Sequence, residues 1–300
     1  MNMDIFASIM VDGILFGAWL FLVAVGLTLV FGVMGILNVA HGALFAIGAY
    51  VSATVVSAYF STNLPPILSL VAMLLGAVAV AIVVGPVIER GLLRFFYGRD
   101  EIVLLLVTYA LFLILEDLIR VIWGVFSYYA AEPYSLFGNL DVGPLHYVGY
   151  DFLIVGLAVL TGVLLWLGLN RTNAGQIVLA VIQDRDVSRA MGVNVALVYT
   201  ATFTVGVFLA ALAGAFSAPT TAITPHMGVN TIILSFAVVV IGGLGSIEGA
   251  AIGALIIGLA RAVTISFLPE LELFIIYGVM VLVLLVRPEG LVNQTKLRRI

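Results

Sequence analysis

Few side chains in this sequence are able to do chemistry. Glu116, Asp117 and Arg120 stand together in an otherwise apolar run, LFLILEDLIRVIW. Glu116 and Arg120 are four apart, the spacing of an intrahelical ion pair. Charges at such a depth either snorkel as a structural pair or relay protons or ions. Asn38 and His41 are three apart in NVAHGALFAIGAY, residues 38–50, and so share a helix face. Gly42 and Gly48, with Ala46 and Ala49, allow a neighbouring backbone to come close. Two readings stand: Asn38 and His41 line a path or satisfy backbone freed by a helix break near Gly35, or they bond helix to helix for assembly.

Other chemistries lack their residues. His41, His146 and His226 fall in separate segments, and the chain contains no cysteine. No H-E-x-x-H or G-x-S-x-G pattern occurs, so metal ligation and nucleophilic catalysis have no constellation to use. The single lysine, Lys296, lies in the tail QTKLRRI, so a phosphate-cradling G-x-x-x-x-G-K-[ST] loop cannot form. The sequence points to no enzyme, cofactor or nucleic-acid partner, and any ATP hydrolysis would belong to another polypeptide.

The elements that must hold these residues follow from composition. Hydrophobic residues make up 63% of the 300 and charged residues 9%, with a mean hydropathy of +1.26, more apolar surface than a water-soluble core can hide. Apolar runs long enough to cross about 30 Å of hydrocarbon as helices recur throughout. They fall near 13–35, 36–60, 66–88, 102–124, 152–169, 197–218 and 273–286. A further stretch, 231–267, is interrupted at IGGLGSIEGA and reads as two arms of about 16 residues, short for full crossings. The runs do not alternate apolar with polar, which excludes a β-barrel. The expected fold is all-α: a polytopic helical integral membrane protein of about eight or nine spans, some short or broken, in a single domain over 1–300.

Ten of the twelve basic residues fall between the third and fourth spans, after the fifth, and after the last. The positive-inside rule places these three regions in the cytoplasm. The segments 125–151, 219–230 and 268–272 contain no Lys or Arg and face outward, which puts the N-terminus outside and the C-terminus inside. The first 30 residues lack the basic start of a cleavable signal, so the first span is expected to persist.

Segment 170–196 is the best place for a partner to dock. Asn173 can cap a helix with Gln176 three residues on; Ile177, Val178, Val181 and Ile182 form an apolar stripe; Asp184, Arg185, Asp186 and Arg189 give a charged end; Gly192 stops the helix. Such a helix either lays its stripe into a partner's groove or packs on its own membrane domain.

The stretch Gly26–Tyr50, GLTLVFGVMGILNVAHGALFAIGAY, resembles the N-terminal signature of permease subunits of branched-chain amino-acid ABC importers, the LivH type. ERGLLR from Glu89, GRDEI from Gly98, SAPTTAITPHMG ending at Gly228 and IGGLGSIEGAAIGA from Ile241 are similar to that family too. The resemblance implies translocation of hydrophobic amino acids across a bacterial inner membrane, with the related urea and short-amide permeases as an alternative. It implies two cytoplasmic ATPases, a second related permease and a periplasmic substrate-binding protein as partners, besides the lipid bilayer. The coupling segment of that family matches here at Gly175, Ala180, Gln183, Asp184, Met191 and Gly192, but Leu179 stands where the family often has arginine. The region around Thr220, Thr221 and Thr224 lies toward the translocation path in that family. From another class, an ion-coupled secondary transporter working through Glu116, Asp117 and Arg120 would transport alone. Glu248 reads as an exposed loop carboxylate or as a gate contact at a turn near the cytoplasmic face, and Arg261 could pair with an acidic residue of a neighbouring span.

Overall fold

The computed structural model describes residues 3–62, 64–142 and 145–292. Among them the chain forms eleven α-helices: α1 (Met3–Met34), α2 (His41–Phe60), α3 (Ser69–Gly91), α4 (Glu101–Trp123), α5 (Gly149–Arg171), α6 (Asn173–Gln183), α7 (Arg185–Ala190), α8 (Val195–Ser217), α9 (Met227–Gly242), α10 (Ile247–Phe267) and α11 (Glu272–Val286). Seven are long and apolar enough to cross a membrane: α1, α2, α3 with its flanking 3-10 turns, α4, α5, α8 and α10. The second arm of 231–267 is therefore not short. Ser246 accepts a hydrogen bond from Gly249 N–H at 2.9 Å, starting α10 early enough for 21 residues. The first arm, α9, has 16 residues.

α1 is the central post. α5, α8, α9 and α10 all pack on it, and nearly every side chain from Leu20 to Val30 is buried. Lipid is as apolar as leucine, so this packing depends on close fit rather than on hydrophobicity alone. Small residues supply the fit. A Cβ on Gly214 of α8 would overlap the carbonyl oxygen of Phe45 and stand 3.0 Å from Ala49 N, both on α2. Gly42 of α2 meets Gly228 of α9 in the same way.

Two features mark the ends of the bundle. At one end a hairpin, β1 (Asn139–Val142) with β2 (Leu145–Val148), precedes α5, and Tyr128 pairs with Ile223 through two backbone hydrogen bonds of 3.0 Å. Segment 219–226 thus caps the bundle there, with Ile223 wholly buried. At the other end lie α6 and α7, outside the long helices.

Candidate functional site

The helix break at Gly35 is real and deeper than a surface turn. Gly35, at φ +67°, ends α1. His41, the first residue of α2, then bonds through Nε2 to the carbonyl of Val23 at 2.9 Å. Val23 lies eleven residues before the end of α1, about 16 Å back along the axis at 1.5 Å per residue. Residues 35–40 therefore fold back alongside α1 at membrane depth, where irregular backbone must be satisfied by protein. Thr108 of α4 does this: its hydroxyl accepts from Val39 N–H at 3.2 Å and lies 3.0 Å from the Leu37 carbonyl, to which it donates. No motif in the sequence marked Thr108 for this work.

Asn38 and His41 are each 1% exposed. Asn38 Oδ1 and His41 Nδ1 find no hydrogen-bond partner among the described residues, a cost on the order of 1–3 kcal/mol each. His41 joins α2 to α1, and Gly42 sets the α2–α9 approach. All three lie between helices.

Thr220 and Thr221 are placed elsewhere. Toward the hairpin end, α5 and α10 both pack on α1, and between them opens a cavity of about 420 Å³. Asp12, Phe16 and Trp19 of α1, Asp151 of α5, Arg261 of α10 and the two threonines line it. Arg261 finds the partner that the sequence left unnamed. Its Nε donates to Glu272 Oε1 at 2.8 Å, and its guanidinium lies 3.9 Å over the Phe16 ring. Toward the opposite end of α1 and α5, a smaller cavity of about 90 Å³ lies among Leu29, Gly32, Trp166, Leu179, Ile182 and Glu248. The two cavities mark a seam along one side of α1, away from Asn38 and His41. Glu248 is exposed at its rim.

Glu116 and Arg120 form the expected pair at 2.7 Å, with the Glu116 side chain 8% exposed. Asp117 takes a second guanidinium nitrogen at 2.8 Å. The structure adds His226, whose Nδ1 lies 2.8 Å from Glu116 Oε1. The cluster thereby ties α4 to the residue just before α9.

Segment 170–196 folds as two helices. Thr172, not Asn173, caps α6, accepting from Gly175 N–H at 3.0 Å; Asn173 is already helical, and a hydroxyl at 172 is one residue better placed. Asp184 breaks the stripe and caps α7 by accepting from Asp186 and Val187 N–H at 2.9 Å each. Gly192, at φ +89°, closes α7, with Val193 N–H reaching back to the Ser188 carbonyl at 3.0 Å.

The stripe divides. Val181 is 3% exposed within the chain's own core, and Gly175 lies so close to the Gly168 and Leu169 carbonyls that a side chain has no room. Ile177, Val187 and Met191 are 43%, 58% and 80% exposed, beside exposed Ala180, Gln183, Asp184 and Arg185. One face of α6 anchors to α1, α5 and α8, and the other stands open with α7.

The model of the family described as "Branched-chain amino acid transport system / permease component" matches residues 9–284. The chain is 28% identical over 305 residues to the high-affinity branched-chain amino acid transport system permease protein LivH of Escherichia coli, covering 98% of each. It is 28% identical over 304 residues to the corresponding BraD protein of Pseudomonas aeruginosa, covering 97% of each. To the permease protein LivM of the Escherichia coli system it is 27% identical over 296 residues, covering 92% of this chain and 68% of that one. No solved structure matches.

Proposed function

Since the chain belongs to the family of branched-chain amino acid transport permease components, we propose that it is the membrane-spanning subunit through which an ATP-binding-cassette importer carries branched-chain amino acids. The match over residues 9–284, which takes in the whole helical bundle but for the ends of α1 and α11, carries this reading. The assembly has two ATPases, a second related permease and a substrate-binding protein. The similarity to both LivH and LivM supports a pore built from two related chains. The chain lies in the cytoplasmic membrane with α6 and α7 in the cytoplasm, the hairpin end outside, the N-terminus outside and the C-terminus inside. The distribution of basic residues supports that orientation.

The coupling surface is the exposed side of α6 and α7: Ala180, Gln183, Asp184, Arg185, Met191 and Gly192. Gly175 and Val181 serve it by anchoring α6. ATP binding closes the two ATPases, and α6 passes the motion to α1 and α5, on which it is seated. The substrate path follows the seam between α5 and α10, with Thr220 and Thr221 at its outer mouth, while Asn38, His41 and Gly42 stand off it and hold the folded-back 35–40 segment against α1 and α9. Arg120 pairs with both Glu116 and Asp117, and His226 bonds to Glu116, in a single local cluster, which favours a structural role over a relay across the membrane.

Purification from native membranes in mild detergent, followed by reconstitution into vesicles with the co-purifying subunits, tests the proposal. Leucine uptake that requires ATP, the second permease and the binding protein is expected. Uptake by this chain alone, driven by a proton or sodium gradient, would overturn it.

A further inference from the structure

The cavity between α5 and α10 has a wall chemistry that goes beyond a passive opening. At about 420 Å³ it lies in the range of small-molecule sites, about 300–1,000 Å³. Its charged groups come from three helices: Asp12 on α1, Asp151 on α5 and Arg261 on α10. Leu15, Phe16, Trp19 and Ile154 supply the apolar wall. Ionisable groups within membrane helices are costly and face bundle interiors or water-filled cavities.

Asp151 and Arg261 are held in place. Asp151 accepts from the Tyr134 hydroxyl at 3.3 Å. Arg261 is stacked on Phe16 and bonded to Glu272 through Nε and Nη2, so among the described residues Nη1 is the nitrogen left for a ligand. Trp19 is fixed by donating to Ser217 Oγ at 2.7 Å. Carboxylates, a guanidinium edge and an apolar strip within one cavity match a small zwitterion: an ammonium, a carboxylate and a short apolar body. Two carboxylates face the cavity against one guanidinium already shared with Glu272, so the ammonium is the end most strongly held.

We propose that this cavity is a permease-borne binding site for a free apolar α-amino acid, in which Asp12 and Asp151 take the ammonium, Arg261 the carboxylate, and Phe16, Trp19 and Ile154 the side chain. The proposal rests on the reading that the chain carries apolar amino acids and adds a specificity filter after the binding protein. Amines lacking the carboxylate should enter the site, whereas acids lacking the amine should not.

The test is saturation-transfer NMR on the full chain in nanodiscs, with leucine, isoamylamine and isocaproate as probes. Leucine and isoamylamine should give signal and compete, and isocaproate should not. Asp12→Asn and Asp151→Asn should each weaken leucine roughly tenfold, the loss of one charge-assisted hydrogen bond. Asp141→Asn, the same change of charge on the β-hairpin, should leave it unchanged. The probe series on the unaltered chain stands even if a variant fails to fold. Equal binding of isocaproate, or no leucine contact, overturns the site. Displacement by phosphoethanolamine in preference to leucine assigns the cavity to a lipid headgroup and overturns it too. ATP-dependent leucine uptake without leucine contact here removes the site and leaves the importer reading standing; failure of that uptake removes the importer reading itself.

Discussion

The two faces of α6 and α7 should respond to substitution in opposite ways. Met191 is 80% exposed, so almost its whole side chain is available to a partner. Truncation to alanine removes three heavy atoms beyond Cβ. At about 0.8 kcal/mol per buried methylene-sized group, and allowing for the exposed fraction, Met191→Ala should cost about 2 kcal/mol of docking, roughly a thirtyfold weaker dissociation constant. The fold should be unaffected, because Met191 makes little contact with its own chain. Val181, 3% exposed, has nothing to give a partner. Val181→Ala should cost about 2 kcal/mol of α6 packing, two methyl groups plus a small cavity, and do so inside the subunit. The assay pairs retention of the co-purifying ATPases on the tagged chain with hydrogen exchange across 173–183. Met191→Ala should lose ATPase while exchange stays slow, and Val181→Ala should speed exchange with the smaller effect on retention. Retention lost with Val181→Ala and kept with Met191→Ala would refute the assignment of faces.

Close helix packing and orientation give two further expectations. Gly214→Ala forces α2 and α8 apart because the new carbon overlaps the Phe45 carbonyl; overpacking costs about 1–3 kcal/mol or more. Thermal stability in detergent should fall clearly, whereas Gly156→Ala, with nothing within 4 Å, should not lower it. The chain has no cysteine, so single replacements report topology directly. His146→Cys should react with a membrane-impermeant maleimide on intact spheroplasts, and Val187→Cys only after permeabilisation; the reverse pattern would invert the proposed orientation.

What the sequence determined by itself were the features encoded locally. Uninterrupted apolar runs fix helices because only a helix satisfies its own backbone in hydrocarbon, and Gly35, able to take φ +67°, marks the break after the first one. The four-residue spacing of Glu116 and Arg120 gave their pair, and Gly192 gave the stop of α7, since both depend on neighbours within a turn or two. The direction each helix faces was not legible. A membrane helix that is apolar all round carries no stripe to read, and lipid offers no contrast with the core.

Only the tertiary structure decided the pairings that cross the bundle. Arg120 and His226, 106 residues apart, meet around Glu116 because α4 and the start of α9 come together. Thr108 satisfies residues 35–40 because α4 passes that fold-back. Val181 turns inward because α6 sits on α1, α5 and α8. Thr220 and Thr221 share a cavity with Asp12, Asp151 and Arg261 because α5 and α10 both lean on α1. In each case the partner is chosen by which helices can approach closely. Glycines such as Gly42 and Gly214 signal that an approach occurs, but the facing backbone that completes it is known only once the helices are packed.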